Sequence, residues 1–283
     1  MLLKDFKNLV KLRLTFLVVF SASISFLIGS DGLAQINWIN WLKLIVGGFL
    51  VTSAANGFNE IIEKDLDKLM TRTADRPLPS GRMNNGQALV ISLMMAICGT
   101  YLLGSLNLLT GILSVFSILF YAFIYTPLKR KTPISVFVGA IPGALPPLIG
   151  YVAAHGKIDE FALILFGIQF VWQFPHFWAI AWVLDDDYKK AGFRLLPTTK
   201  RDKTSAIITL ISTIILIPVS LLPTIYLYGG YTIGIVSLIC GIAFAYQAYI
   251  LVKKLDIKSA QQLMFGSFIY LPIVQLVLLF NLK

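Results

Sequence analysis

Charge is scarce in this sequence. Lys, Arg, Asp and Glu make up 13% of 283 residues, 57% are hydrophobic, and the mean hydropathy is +0.79. A water-soluble globule could not bury that much apolar surface, so the chain is read as an integral membrane protein with the lipid bilayer around it. Histidine and cysteine are rarer still, two of each. Cys98 and Cys240 lie in apolar runs with no Cys-x-x-Cys or Cys/His spacing, which leaves no basis for a disulfide framework or a zinc site. Acid is short against base, 14 residues against 24, for a net charge of +10. In a soluble chain that balance would suggest nucleic acid. In a membrane chain it indicates loops that face anionic lipid and phosphates, and no nucleic-acid partner is expected. No low-complexity linker divides the sequence, so residues 1–283 are expected to form one domain.

What is abundant is long apolar runs. Nine are long enough, or nearly so, to span, centred on 14–30, 40–61, 88–106, 108–127, 134–154, 160–184, 206–227, 230–252 and 263–281. The expected fold is all-α, a nine-helix membrane bundle around a central cavity. The first run has a basic start like a signal peptide, but the same basic-then-apolar pattern recurs along the chain, and cleavage is not expected. With the N-terminus inside, 21 of the 24 Lys and Arg fall on inside segments, and only Lys43, Lys157 and Lys283 fall outside. That asymmetry predicts a cytoplasmic N-terminus and an external C-terminus in the plasma (cell inner) membrane.

Scarce acids are unevenly spent. Nine of the fourteen lie in two inside segments, 59–82 and 185–203. Each follows the second helix of a four-helix set, which hints at two related halves. On a helix, Asn59, Glu63 and Asp67 fall on one stripe, with Glu60 on the next face. Like charges four apart destabilise a helix, so a cation is expected to neutralise them. Mg²⁺ suits oxygen ligands of this kind and takes one or two carboxylates with phosphate and water. Arg72 and Arg76 follow at once and suit an anion. Acids, a cation and arginines together describe a metal-bound phosphate. Asp185, Asp186 and Asp187 form the second cluster, from which Asp186 and Asp187 are candidate ligands for a second metal. Tyr125 and Lys129, four apart at the end of the fourth span, are candidate diphosphate contacts, as is Arg13 before the first span.

Residues 170–178 place Trp172, Gln173, His176 and Trp178 around Pro175, in the sixth span. Polar side chains at that depth are expected to face the bundle interior. An aromatic cavity containing an imidazole would suit a large planar substrate, with ligation of a bound iron included. Residues 139–147 are rich in small residues and proline, and packing is the simpler reading of them.

Taken together these segments resemble a known family. Asn59-Glu-x-x-Glu63-x-x-x-Asp67 resembles the first acidic motif of the intramembrane UbiA-type prenyltransferases. The run from Asp65 through Arg72, Arg76 and Arg82 is similar to their protoheme IX farnesyltransferase branch. So are Tyr125-Thr-x-Leu-Lys129, Trp172-Gln173-x-Pro-His176-Phe-Trp178 and Asp186-Asp187-Tyr188. Glu60 and Glu63 stand where aspartate is commoner, and Val183 replaces the first aspartate of the second motif. The resemblance implies farnesyl transfer from farnesyl diphosphate to a vinyl group of protoheme IX, with Mg²⁺ as cofactor. In that reading Asn59, Glu63, Asp67, Lys129 and Asp187 are catalytic. Asn59, Glu60, Glu63, Asp67, Asp186 and Asp187 hold metal. Arg72, Arg76, Lys129, Tyr125 and Arg13 hold diphosphate, and Trp172, Gln173, His176 and Trp178 hold the heme. Downstream partners would be the machinery that modifies the heme further or assembles it into an oxidase. A transferase acting on an aromatic acid, quinone precursor or lipid alcohol would share the acidic motifs without needing the 172–178 segment. A transporter would want its acids near the midplane, not at one face.

Overall fold

A computed structural model describes residues 3–30 and 32–282. Among the described residues nine helices are long and apolar enough to cross a membrane. A short α1, Leu3–Leu9, precedes them. The spans are α2, Leu12–Gly29; α3, Trp38–Asp67; α4, Asn85–Gly104; α5, Leu108–Leu128; α6, Ser135–His155; and α7, Glu160–Val183. A short α8, Asp185–Lys190, follows. Then come α9, Lys203–Ile225; α10, Tyr231–Lys254; and α11, Ile257–Asn281. The chain is an all-α, multi-pass membrane protein.

Asparagine and aspartate start most of these helices. Asn37, Asn84, Asn107, Asp159, Asp202 and Asp256 each accept a backbone N–H from the first turn, and Asn84 and Gln87 form a full capping box. Sequence-neighbouring spans pack side by side, and α11 returns against α2 to close a ring; α2 also packs on α6, and α7 on α11. Helix α3 runs 30 residues, six beyond the apolar stretch that marks it, so the acidic stripe lies on the helix itself. At 1.5 Å per residue it is about 45 Å long, more than a bilayer core needs.

Small residues set the closest approaches. A Cβ on Gly150 of α6 would collide with the Ala22 carbonyl of α2, and one on Gly29 would sit 2.8 Å from the Tyr151 carbonyl. Gly139 leaves room for the Tyr125 ring and Gly143 for Gln173, so the 139–147 segment serves packing. Pro147 has no N–H, which denies the Gly143 carbonyl its helical donor. Gln169 Nε2 supplies the replacement at 2.8 Å. Gln169 also accepts from Ser21 at 2.8 Å, and Gln275 donates to Ser21 at 2.6 Å, so α2, α7 and α11 share one buried, satisfied polar junction.

Gly150→Ala should lower the thermal unfolding midpoint in detergent, by an overpacking cost of about 1–3 kcal/mol. Gly48→Ala, whose added methyl would meet only Val19 at 3.8 Å, should leave the midpoint close to wild type.

Candidate active site

The acidic stripe of α3 is the most densely charged buried region among the described residues. Asn59, Glu60, Glu63 and Asp67 are between 0 and 4% exposed. Each member of the stripe proper meets a cation from a different segment. Lys11 Nζ donates to Asn59 Oδ1 at 2.7 Å. Lys129 Nζ lies 2.5 Å from Glu63 Oε1. Arg76 Nη1 donates to Asp67 Oδ2 at 2.6 Å. Asn59 Nδ2 completes the row, donating to Glu63 Oε2 at 2.9 Å and Thr126 Oγ1 at 3.0 Å. Acid, amide and base thus alternate along about two turns of helix, which removes the like-charge penalty the sequence carries.

Local structure explains how the cations arrive. Phe120–Tyr125 of α5 is a π-helical segment, the kind of irregularity that re-aims side chains at functional sites. Beyond it Thr126 faces Asn59, and Lys129 lies 5.2 Å above the Tyr125 ring centroid and 5.1 Å from that of Phe193. Tyr125 itself is buried beneath Lys129. Arg76 is delivered by the 68–82 turn, whose Met70 packs with Ala191 and Phe193 of the second acidic segment. Lys11 lies outside the spans, and burial, with Arg76 and Lys129 nearby, pushes its ammonium down to about 7.

The residues present suit a hard divalent cation. Glu60 Oε2 and Asp67 Oδ1 are buried with no hydrogen-bond partner among the described residues, and buried carboxylate oxygens left so call for a ligand. The other Glu60 oxygen accepts from the Leu78 amide at 3.2 Å. No three acidic, histidine or cysteine side chains converge into a cage among the described residues. This donor set fits Mg²⁺, which keeps water and substrate phosphate in its shell, and does not fit an ion that needs an all-protein site.

The second acidic cluster is used differently from the expectation. Asp187 accepts the backbone amides of Thr71 at 2.8 Å and Arg72 at 3.1 Å, and Lys190 at 3.1 Å. Partial burial would raise its carboxyl, but the Arg72 and Thr71 amides and Lys190 outweigh that and hold it at about 2. Asp186 points outward and pairs with Arg201 at 2.9 Å, while buried Asp185 pairs with Lys189 at 2.6 Å. Asp187 therefore spends both oxygens on protein partners and clips the two acidic segments together, while Asp186 gives one oxygen to Arg201 at the surface. Arg13 makes no hydrogen bond or ion pair with the stripe among the described residues. It is exposed and lines an apolar surface groove with Phe16, Phe20 and Ile45, while Lys11, two residues earlier, reaches the stripe. Arg72 is exposed at the rim and holds Asp187 through its backbone amide.

The four residues expected to line one planar pocket are divided between two interfaces, with α11 and with α6. Trp172 and His176 stack at 4.5 Å and face α11, where Trp172 Nε1 donates to the Ser267 carbonyl at 3.0 Å and His176 Nδ1 meets Ser267 Oγ at 2.7 Å. Gln173 turns to α6 and donates to the Ala140 carbonyl at 2.9 Å. Trp178 packs with Phe137 and Phe174. Consecutive helical residues are about 100° apart, so a seven-residue aromatic run cannot present one face.

Lys11 and Thr126 are the site residues that sequence reasoning missed. Thr126 adjoins a residue already singled out. Lys11 carries no cue beyond its charge, because the kink that aims it has neither Gly nor Pro.

The pattern of the UbiA prenyltransferase family matches residues 18–271. A protoheme IX farnesyltransferase of Cytophaga hutchinsonii is 48% identical, covering 95% of this chain and 94% of its own length. Another of Christiangramia forsetii is 44% identical, over 98% and 92%. Among solved structures, one concerned with digeranylgeranylglyceryl phosphate synthase in membranes superposes with a TM-score of 0.82 at 24% identity, covering 99% and 98% of the two chains. A UbiA homolog from Archaeoglobus fulgidus, bound to DMAPP and Mg²⁺, gives a TM-score of 0.62 at 12% identity over 95% and 99%. At those identities the structural likeness is one of fold. The sequence relatives and the family pattern cover nearly the whole chain, which therefore belongs to the UbiA prenyltransferase family, in its protoheme IX farnesyltransferase branch.

Proposed function

We propose that this chain transfers a farnesyl group from farnesyl diphosphate to a vinyl group of protoheme IX, giving heme O. The observation that carries the chemistry is the α3 stripe, where buried acids with unsatisfied oxygens alternate with three buried or half-buried cations. Asn59, Glu63 and Asp67, with Glu60 beside them, would hold Mg²⁺. The ion supplies Lewis-acid charge neutralisation at the diphosphate when bound. Lys129 and Arg76 exchange their carboxylate partners, and Lys11 its Asn59 amide oxygen, for phosphate oxygens as the diphosphate enters, and Arg72 adds charge at the rim. These donors are fixed before the reaction, so they stabilise the charge that grows on the leaving diphosphate at little reorganisation cost. The apolar spans below keep water from the allylic cation until the vinyl carbon attacks. That attack leaves the positive charge on the side-chain carbon next to the porphyrin; water adds there and releases a proton to solvent, which completes the hydroxyethylfarnesyl group.

The acceptor assignment rests on the relatives' name and on the 172–178 segment. Of that segment, the Trp172–His176 pair is the part that presents a stacked aromatic face with an imidazole whose Nε2 makes no hydrogen bond among the described residues. The Lys and Arg asymmetry supports a stripe on the cytoplasmic side of the plasma membrane, where a soluble diphosphate donor is delivered. Residues 1–283 act as one domain.

The direct test incubates membranes holding the protein with heme, farnesyl diphosphate and Mg²⁺, followed by mass analysis of the porphyrin. A mass gain equal to hydroxyethylfarnesyl formation is expected; an unchanged heme under conditions where the protein binds its donor would defeat the acceptor assignment. Glu63→Gln should lower turnover by about 10²-fold or more, the usual cost of removing one preorganised charge stabiliser. Asp187→Asn should lower activity without raising the Mg²⁺ concentration needed for half-maximal rate, because it loosens a clip between segments. A raised Mg²⁺ requirement in that variant would return Asp187 to the metal.

A further inference from the structure

Helix α1 is only seven residues long, yet it is held more firmly than a terminal turn of that length needs. Asp5 is 3% exposed. Its carboxylate accepts Arg82 Nε at 2.8 Å, and the same guanidinium donates to Asp75 Oδ1 at 2.8 Å and to the Asp75 carbonyl at 2.6 Å. Arg82 therefore ties α1 to both ends of the 75–82 turn. Leu9, fully buried, packs on Leu78, Met83 and Ala88. A second attachment lies at the break between α1 and α2. The Val10 carbonyl accepts from Thr15 Oγ1 at 2.7 Å and from Asn56 Nδ2 at 3.3 Å. Asn56 lies one turn before Asn59 and Glu60 on α3.

Between these two attachments sits Lys11, at φ 47° and ψ 56°. Lysine in the left-handed region is strained and persists only where its surroundings impose it. Relaxed to right-handed values, residues 3–29 would run on as one rod and Lys11 would leave the stripe. In the strained form its ammonium reaches Asn59 Oδ1 at 2.7 Å. Burying the Asp5 carboxylate is also costly without its partner. Neither expense is needed to begin a membrane span, and the result the two share is the placement of one ammonium group.

We propose that Asp5, Arg82 and Asn56 are positioning residues that hold Lys11 in the diphosphate site. Asp5 and Arg82 fix the outer end of α1, and Asn56 fixes the kink carbonyl beside Lys11. The inference rests on the reading of Lys11 as a diphosphate contact.

A double-mutant cycle tests it on the purified full-length protein in detergent. The readout is calorimetric affinity for inorganic diphosphate with Mg²⁺, which involves neither heme nor turnover. Asp5 pairs with Arg82 and, among the described residues, makes no hydrogen bond or ion pair with the stripe, so Asp5→Asn is the informative partner for Lys11→Met. Asp5→Asn should weaken diphosphate binding about fivefold in the wild-type background and by less than about twofold when Lys11 is already Met, the coupling expected of residues that act through one another. Equal weakening in both backgrounds, or none in Asp5→Asn, overturns the proposal. Wild-type affinity in Lys11→Met removes the premise and overturns it too, whatever the heme assay gives. If Asp5→Asn does not purify folded, Asn56→Ser runs the same cycle through the other attachment, with the same outcomes deciding.

Discussion

The structure depends on how a row of acids is tolerated at the edge of a membrane. Glu60, Glu63 and Asp67 are nearly inaccessible to solvent, and buried carboxylates are sustained only by compensating charge or ligands. The compensation comes from three places far apart in sequence: the start of α2, the end of α5 and the turn after α3. Each of those segments needs its own device to deliver a cation: a left-handed lysine, a π-helical stretch, and a turn clipped by Asp187. The loops on this face are thus ordered by electrostatics, while the spans below are ordered by small residues and glutamines.

This arrangement is poised for exchange. In the proposed function, cations paired with acids are handed to an incoming diphosphate while a divalent ion takes the acids. Total charge in the site then changes little, and a large electrostatic reorganisation is avoided. Glu60 Oε2 and Asp67 Oδ1, which have no hydrogen-bond partner among the described residues, mark where the resting compensation is incomplete.

Much of this was legible in the sequence, and the reasons are physical. Apolar runs of membrane length identify themselves, so the nine spans lie close to where hydropathy puts them. Helical period put Asn59, Glu63 and Asp67 on one stripe, and they are on one. What could not be read was partner choice. Asp186 and Asp187 have the composition of a metal motif, but Asp187 is satisfied by two backbone amides, and amides leave no trace in a sequence. Arg13 and Lys11 are both basic and two residues apart, and only a backbone kink decides which one turns inward. Residues 172–178 look like one aromatic wall in sequence, but the helix divides them between α11 and α6.

The central claim is that the α3 stripe receives a metal-bound diphosphate. Titration of farnesyl diphosphate into the purified protein, with Mg²⁺ and again with the metal chelated, tests it most directly. The account predicts tight binding with Mg²⁺, its loss on chelation, and its loss in Glu63→Gln with Mg²⁺ present. Equal affinity with and without the metal, unaffected by Glu63→Gln, would contradict it.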